Sequence, residues 1–321
     1  MSQFNTQPIQ VGISACLLGQ PVRFDGGHKR SEFVEKELSR YFSFMPVCPE
    51  LAIGLGVPRK AIRLVKRDDV IHVEATDGSF DVTDKLTEFA QQKTAGFAHL
   101  AGYILCAKSP SCGMERVKIY SSQGAGSGAV KEGTGIYARI LMEQNPLLPV
   151  EEDGRLCDPV LRENFVTRVF AYHDWLTLKA EGITKGKLIA FHSRYKYLLF
   201  AHQPAAYKTL GKLLGDASDL SLDHLSARYI SGLMQGLQQR VSRKNHTNVL
   251  QHLQGYFKKQ LSAAQKAELH NTIDKYRRGL VPLMVPMALI SHYLREYPNP
   301  YLAAQVYLNP HPEDLALRYG L

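Results

Sequence analysis

Some features are scarce or missing in this sequence, and each absence excludes a class of protein. The 321 residues contain only five cysteines, an odd number without regular spacing, which argues against a disulfide-stabilised secreted scaffold. No apolar stretch is long enough to cross a bilayer, because the longest run, residues 280–290, is short and is interrupted by Pro282 and Pro286. The amino-terminal residues lack the basic and apolar regions of a signal peptide. We therefore expect a cytoplasmic protein.

Acidic residues are unevenly distributed along the chain. Residues 1–156 carry 18 Lys and Arg against 18 Asp and Glu, whereas residues 157–321 carry 21 against 12. The whole net charge of +9 therefore lies in the second half. Such asymmetry predicts an anionic partner for that half, with nucleic acid the first choice and a membrane surface the second. A well-solvated helical surface is the alternative explanation of the same charges.

The two halves also differ in their hydrophobic pattern. In the first half, short apolar runs such as "IQVGISA", "SFMPV" and "AGYILCA" alternate with helical patterns near residues 31–41 and 82–100. This alternation predicts a Rossmann-like α/β fold with a mainly parallel sheet. The second half repeats apolar residues at three- and four-residue spacings, and Ser262 with Gln265 form a capping-box pattern. We predict an α/β domain over residues 1–155, followed by an all-α domain over residues 156–321.

Three of the cysteines occupy comparable positions in the first half. Cys16 ends "IQVGISAC", Cys48 ends "SFMPVC", and Cys112 follows "AGYILCA" through the turn "KSPS". Because ligands bind at the carboxyl ends of the strands in an open parallel sheet, the three thiolates could converge on one point there. We expect Cys106 to lie inside its strand as a small buried hydrophobe, and Cys157 has no comparable support.

These three cysteines can be interpreted in more than one way. Without a histidine nearby they match a closed structural zinc site poorly, whereas they could hold an iron–sulfur cluster that keeps one iron open to substrate. The chain has no C-x-x-C motif, so the residues alone leave three buried, inert cysteines as an equal alternative.

Several motifs of the chain resemble those of a known family. The first-half motifs are "SACLLG" (14–19), "VRFDGGHK" (22–29), "PVCPEL" (46–51), "GLGVPR" (54–59) and "KSPSCG" (108–113). The second-half motifs are "KYLLFAH", "NVLQHLQGYFK", "YRRGLVPLMVP" and "YLNPHP". The first set resembles motifs of the thiouracil desulfurase family. The second set resembles a helical domain that is fused to such desulfurases in bacterial tRNA 4-thiouridine desulfidases.

The resemblance implies a cofactor, a reaction and a partner. The cofactor is a 4Fe–4S cluster held by three cysteines, which match Cys16, Cys48 and Cys112 here. The reaction is the hydrolysis of 4-thiouridine to uridine in tRNA, without net redox change and with release of sulfide. The implied partner is tRNA containing 4-thiouridine, with no membrane and no obligate protein partner. Alternatives are a desulfurase of free thiouracil or thiolated nucleosides, an iron–sulfur nucleic-acid-binding sensor without catalysis, and a structural protein.

Four residues near these cysteines are candidates for catalysis. Glu50, two residues after Cys48, could activate water and protonate the intermediate. The hydroxyls of Ser109 and Ser111 could orient the pyrimidine or the water, although turn formation around Pro110 explains them nearly as well. Asp25 could contact substrate, or it could form a turn before a glycine.

Basic residues of the second half are candidates for contact with tRNA. Arg240, Arg243 and Lys244 are expected on one helical face, with the other candidates nearby in sequence or mixed with tyrosines. Basic side chains beside tyrosines suit phosphate contact combined with stacking on unpaired bases. The full set is Arg194, Lys196, Arg240, Arg243, Lys244, Lys258, Lys259, Arg277 and Arg278.

Overall fold

The computed structural model of the chain describes residues 8–121, 128–216 and 220–318. The chain divides into two compact units, which we call the amino-terminal unit and the helical unit. The amino-terminal unit ends at Asp158, and the helical unit begins at Pro159.

The amino-terminal unit alternates strands with helices along the chain, which confirms the predicted α/β class. Its strands are β1 (Ile9–Ser14), β2 (Phe42–Val47), β3 (Ile62–Arg67), β4 (Val70–Ala75), β5 (Gly102–Leu105), β6 (Val117–Ser121), β7 (Val130–Gly133) and β8 (Val150–Glu152). Its α-helices are α1 (Pro49–Ala52), α2 (Thr83–Ala95) and α3 (Ile136–Gln144).

The first sheet has the order β2-β1-β5-β8, and every neighbouring pair in it is parallel, as predicted. Strand β5 is fully buried and β1 nearly so, which is the pattern expected of strands covered on both faces. The chain order reverses beside β1, because β2 lies on one side of it and β5 on the other. In sheets of this kind ligands bind at the carboxyl edge next to such a reversal.

A second sheet, of order β4-β3-β6-β7, was not expected from the sequence. Strands β3 and β4 are antiparallel, β3 and β6 are parallel, and β6 and β7 are antiparallel. The helix predicted near residues 31–41 is also less regular than expected. It consists of one π-helical turn, Phe33–Glu37, followed by one 3₁₀ turn, Leu38–Arg40.

The helical unit confirms the predicted all-α class for the second half. Its helices are α4 (Pro159–Ala180), α5 (Lys185–His202), α6 (Pro204–Gly215), α7 (Leu222–Leu237), α8 (Arg243–Tyr256), α9 (Ala263–Arg277), α10 (Met284–Glu296) and α11 (Pro300–Ala303). The capping box at the start of α9 is present as predicted, with Ser262 and Gln265 bonding each other's backbone.

Aromatic side chains form part of the core of the helical unit. Phe191 stacks on Tyr195 at a centroid distance of 4.5 Å, and Trp175 contacts Phe191 and Tyr229. All four rings are at least nine-tenths buried. Across the described ranges, none of the helices combines the length and apolar character that crossing a membrane requires.

Candidate metal centre

Four thiols line one cavity at the carboxyl edge of the parallel sheet. The cavity has a volume of about 420 Å³ and lies among Cys16, Cys48, Cys106 and Cys112. Cys16 follows β1 and Cys48 follows β2, and the other two cysteines follow β5. The structure therefore brings together the three cysteines singled out from the sequence, and it adds a fourth.

The expected position of Cys106 is wrong by one residue, and the difference changes its surroundings. Strand β5 ends at Leu105, because the backbone N–H of Cys106 donates to the side-chain oxygen of Ser14, at 3.0 Å, in place of a ladder partner. Cys106 is buried, as expected, but it lines the cavity and does not lie within the strand. A hydrogen bond between the Cys16 and Cys106 thiols raises the pKa of Cys16 and lowers the pKa of Cys106.

The other two cavity thiols are shielded from water. Burial raises the pKa of Cys48 and of Cys112, because a low-dielectric site disfavours the thiolate. Cys48 stands at the amino terminus of α1 and its thiol lies 3.7 Å from the carbonyl oxygen of Val22. Metal binding to such thiols releases their protons.

The spacing of the thiols distinguishes between kinds of metal site. In the described ranges, one set of three metal-capable side chains has all its ligand atoms within 4.8 Å of one another, namely His72, Glu74 and Asp81. None of the cavity cysteines belongs to such a set. A single ion needs its ligands that close, whereas a cluster bonds each thiolate through a different metal ion. The side chains of the cavity cysteines are therefore not drawn together around the position of a single ion.

Glu50 lies in the wall of the same cavity, on the first turn of α1. One carboxylate oxygen, Oε1, accepts a hydrogen bond from the hydroxyl of Ser111 at 2.7 Å. The other, Oε2, is bonded by the guanidinium of Arg59 through Nε at 3.0 Å and Nη2 at 2.7 Å. Arg59 is itself fixed, because its Nη1 donates to the carbonyl oxygen of Gly56 at 2.9 Å. The side chains of Arg59 and Glu50 are only 4% and 14% exposed, so their ion pair is shielded from water.

Ser109 and Ser111 have different surroundings within the turn. The oxygen of Ser109 accepts from the backbone N–H groups of Ser111, at 3.3 Å, and of Cys112, at 3.1 Å, so this side chain holds the turn. The following Gly113 is required by packing, since a Cβ there would lie 2.4 Å from Val117. Ser111 is thus the serine that contacts the carboxylate of Glu50, and Ser109 shapes the loop that carries Cys112.

Three residues at the site were missed by reasoning from the sequence. Arg59 lies in the quoted motif "GLGVPR", but no role was expected for it. Lys29 pairs with Asp153 at 2.8 Å, and Asp153 also accepts from the backbone of Ala107 at 2.8 Å. Burial lowers the pKa of Lys29, but the bond to Asp153 and the nearby Cys106 outweigh it, so the net shift is upward. The one sequence signal near Lys29 is the glycine pair two residues before it in "FDGGHK", which indicates a tight loop but not the contact with Asp153.

Asp25 does not line the cavity. Its carboxylate is exposed and accepts the backbone N–H of Gly27 at 3.0 Å, and this hydrogen bond lowers its pKa. The structure therefore places Asp25 in the turn-forming position that was the alternative to substrate contact.

Several of the basic residues singled out in the helical unit pair with carboxylates. Arg194 lies 2.6 Å from Asp174, and Arg277 and Arg278 both contact Asp274, at 2.6 and 2.8 Å. These arginines are therefore less available for phosphate than the sequence indicated. Lys196 has another kind of neighbour, because its ammonium lies over the rings of Tyr197 and Tyr301, at 5.1 and 4.8 Å.

The expectation that Arg240, Arg243 and Lys244 share one helical face is wrong. Helix α7 ends at Leu237 and α8 begins at Arg243, because Ser242 caps α8 and stops the helical pattern from continuing. Arg240 lies in the connection, while Arg243 donates to the carbonyl of Tyr276 at 2.8 Å. Lys258 and Lys259 are exposed and lie just beyond the end of α8.

Comparisons with known proteins match two different families to two separate parts of the chain. The family described as 2-thiouracil desulfurase matches residues 11–153, which contain all four cavity cysteines. A family described as a protein of unknown function, DUF1722, matches residues 196–312.

Individual relatives each correspond to about half of the chain. The uncharacterized protein YbgA of Escherichia coli is 35% identical over 159 residues, which are 49% of this chain and 94% of that protein. The uncharacterized protein YbbK of Bacillus subtilis is 32% identical over 139 residues, which are 41% of this chain and 88% of that protein. A solved structure of the [4Fe-4S]-dependent thiouracil desulfidase TudS is 28% identical, with a TM-score of 0.38, and the match covers 46% of this chain and 93% of that one.

The family match over residues 11–153 covers the motifs quoted from the first half of the sequence, and both curated relatives are more than 30% identical and are covered over most of their length. The chain belongs to the 2-thiouracil desulfurase family, and a DUF1722 region follows its desulfurase domain.

Proposed function

We propose that this protein is a desulfidase that removes sulfur from 4-thiouridine in tRNA, with a 4Fe–4S cluster held by Cys16, Cys48 and Cys112. The observation that supports the proposal most strongly is the Glu50–Ser111 pair in the wall of a cavity lined by thiols. A cavity of about 420 Å³ has room for a metal cluster and part of a pyrimidine ring.

When bound, the cluster supplies a soft Lewis acid that prefers a thiocarbonyl sulfur to a carbonyl oxygen and polarises the C=S bond. The protein supplies the proton transfers. Glu50 takes one proton from the attacking water through a carboxylate oxygen and gives it to the departing sulfur. The second proton of the water leaves as the added hydroxyl becomes the ring carbonyl, so the C=S group and water become a C=O group and hydrogen sulfide. Water adds its oxygen to the ring and sulfide is released, so no electrons are exchanged with a further reactant.

Ser111 and Arg59 orient Glu50 for this role. Each carboxylate oxygen of Glu50 has its own donor, the hydroxyl at Oε1 and the guanidinium at Oε2. Held from both sides, the carboxylate keeps one orientation, which lowers the entropy cost of reaching the transition state.

A tRNA substrate accounts for the basic excess of the helical unit, since a free neutral base requires no basic surface. In folded tRNA the target base is stacked, so we expect it to be extruded before it enters the cavity. We expect the helical unit to hold the RNA backbone while the amino-terminal unit receives the base.

The test is anaerobic incubation of the iron-reconstituted protein with three substrates, namely bulk tRNA containing 4-thiouridine, free 4-thiouridine and 2-thiouracil. We expect sulfide release from the tRNA with the highest kcat/KM. Turnover of the small compounds alone would contradict the tRNA assignment and favour a desulfurase of free bases. Iron binding without sulfide release from any substrate would instead favour a nucleic-acid-binding sensor.

A further inference from the structure

Six aromatic rings form a connected, partly exposed strip on the helical unit. In order along the strip they are Tyr207, Phe200, His252, Tyr197, Tyr256 and Tyr301, and we call this set the aromatic strip. Helices α5, α6, α8 and α11 each contribute at least one ring.

The contacts within the aromatic strip are continuous from one end to the other. Phe200 lies 5.1 Å from Tyr207 and 5.3 Å from His252, measured between ring centroids. His252 lies 6.3 Å from Tyr197. The hydroxyls of Tyr197 and Tyr256 are hydrogen-bonded at 3.1 Å, and Tyr256 stacks on Tyr301 at 5.6 Å with an interplanar angle of 26°.

The aromatic strip differs from the buried aromatic core of the same unit in its exposure. Tyr256 is 37% exposed, His252 is exposed, and Phe200, Tyr207 and Tyr301 are partly exposed. Tyr197 is buried and connects the rings on either side of it. Rings that only stabilise the fold are normally buried, and large exposed aromatic surfaces mark sites of interaction. The strip therefore presents ring faces and edges that a flat ligand can reach.

Charge identifies what kind of flat ligand this surface favours. Residues 182–215 and 224–267, which supply five of the six rings, contain no aspartate or glutamate, but they contain six and seven Lys and Arg respectively. Residues 297–312, which supply Tyr301, contain no acid either. The ammonium of Lys196 lies within the strip, over two of its rings. Aromatic rings on segments that are rich in Lys and Arg and contain no acid match the unpaired bases and the phosphates of a single-stranded RNA segment.

We infer that the aromatic strip binds unpaired nucleobases of an RNA loop, with Lys196 contacting the adjoining phosphate. This inference rests on the proposed tRNA substrate. It assigns RNA binding in the DUF1722 region mainly to aromatic rings, and less to arginine side chains. Stacking does not depend on base identity, so the strip holds different loops and leaves the choice of base to the thiol-lined cavity.

The test measures RNA affinity of the full chain by fluorescence anisotropy. The probes are a labelled oligouridylate of about a dozen nucleotides, a tRNA transcript without 4-thiouridine, and an RNA duplex. We expect Tyr256→Ala to weaken binding of the oligouridylate and of tRNA about tenfold, whereas Tyr256→Phe, which keeps the ring, retains most of the affinity. We expect Lys196→Gln to lower the salt dependence of binding, because one phosphate contact is lost.

Leu280→Ala is the matched control, because Leu280 is 64% exposed on the same unit and lies outside the strip. Its RNA affinity should be unchanged. Wild-type affinity in Tyr256→Ala, or duplex bound as tightly as the single strand, would overturn the inference.

Sulfide release from free 4-thiouridine, measured on the same variants, separates this inference from the proposed function. We expect it to be unchanged, because the strip contributes nothing to the cavity. If the wild type releases sulfide while Tyr256→Ala keeps full RNA affinity, the strip assignment fails alone. If Tyr256→Ala loses RNA affinity while the wild type releases no sulfide from any substrate, the desulfidase proposal fails and the strip stands.

Discussion

The hydroxyl of Ser111 donates to Oε1 of Glu50 at 2.7 Å, across 61 positions of the sequence. This hydrogen bond connects the turn after β5 to the helix after β2, so two loops that carry cavity cysteines are joined by the residue proposed as acid and base. Arg59 completes the arrangement from the opposite side of the carboxylate. The carboxylate of Glu50 is therefore held from both sides in the wall of the thiol-lined cavity.

Replacement of Glu50 by glutamine keeps the shape of the side chain and removes its ability to accept a proton. We expect Glu50→Gln to lower kcat by about a hundredfold to ten-thousandfold, with no loss of iron. Turnover close to the wild-type rate would show that another group activates the water. Iron per chain, measured on the same preparation, controls for damage to the metal site.

The two serines of the turn should be separable by experiment. Because Ser111 orients Glu50, we expect Ser111→Ala to lower kcat about tenfold to a hundredfold with normal iron content. Ser109 holds the backbone N–H of Cys112, so Ser109→Ala should lower iron content first and activity in proportion. Equal iron loss in both variants would show that the serines act together in shaping the turn.

The four cavity thiols are expected to differ in their contribution to metal binding. We expect Cys112→Ala to lose the iron–sulfur absorbance, whereas Cys106→Ala retains about four iron ions per chain after reconstitution. Cys106 lines the same cavity as Cys16, so it is the strictest control for a three-cysteine cluster. Loss of iron in Cys106→Ala equal to that in Cys112→Ala would contradict three-cysteine ligation.

Three buried histidines should make the helical unit sensitive to acid. Burial lowers the pKa of His202 and of His311 to about 4, and it lowers the pKa of His246 as well. Between about pH 6.5 and pH 4 a histidine of this kind is protonated in the unfolded chain but neutral in the folded chain. Its contribution to the free energy of unfolding is therefore complete above pH 6.5 and is lost as pH falls. The expected loss is roughly 3 kcal/mol for His202 and for His311.

Urea unfolding followed by tryptophan fluorescence checks this, because the single tryptophan, Trp175, lies in the core of the helical unit. We expect the unfolding free energy to be flat from pH 8 to about pH 6.5 and to fall steadily below that value. A free energy that does not change down to pH 5 would show that the histidines are not held neutral.

The strand ends and the thiols were the most predictable features, because periodicity in short apolar runs locates strands and a parallel sheet brings its carboxyl ends to one edge. That logic placed Cys16, Cys48 and Cys112 correctly around one cavity. It misplaced Cys106, since the end of β5 depends on a hydrogen bond to Ser14 that no local pattern reveals. The buried ion pair of Arg59 with Glu50 is likewise a tertiary contact.

The surface of the helical unit was less predictable than its helices. Counting charges indicated Arg194, Arg277 and Arg278, but their pairing with Asp174 and Asp274 depends on how side chains meet in the fold. The aromatic strip joins rings from four helices, so spacing along any one of them does not reveal it. In contrast, the absence of acidic residues from the three segments that supply the rings of the strip can be read from the sequence alone.

The most direct test of the proposed function is a single anaerobic assay. The iron-reconstituted protein is incubated with bulk tRNA containing 4-thiouridine, and the near-ultraviolet absorbance of the thiolated base is followed together with released sulfide. We predict that absorbance falls with a matching amount of sulfide for the wild type, and that neither changes for Cys112→Ala. Unchanged absorbance with fully iron-loaded wild-type protein would contradict the assignment of 4-thiouridine in tRNA as the substrate.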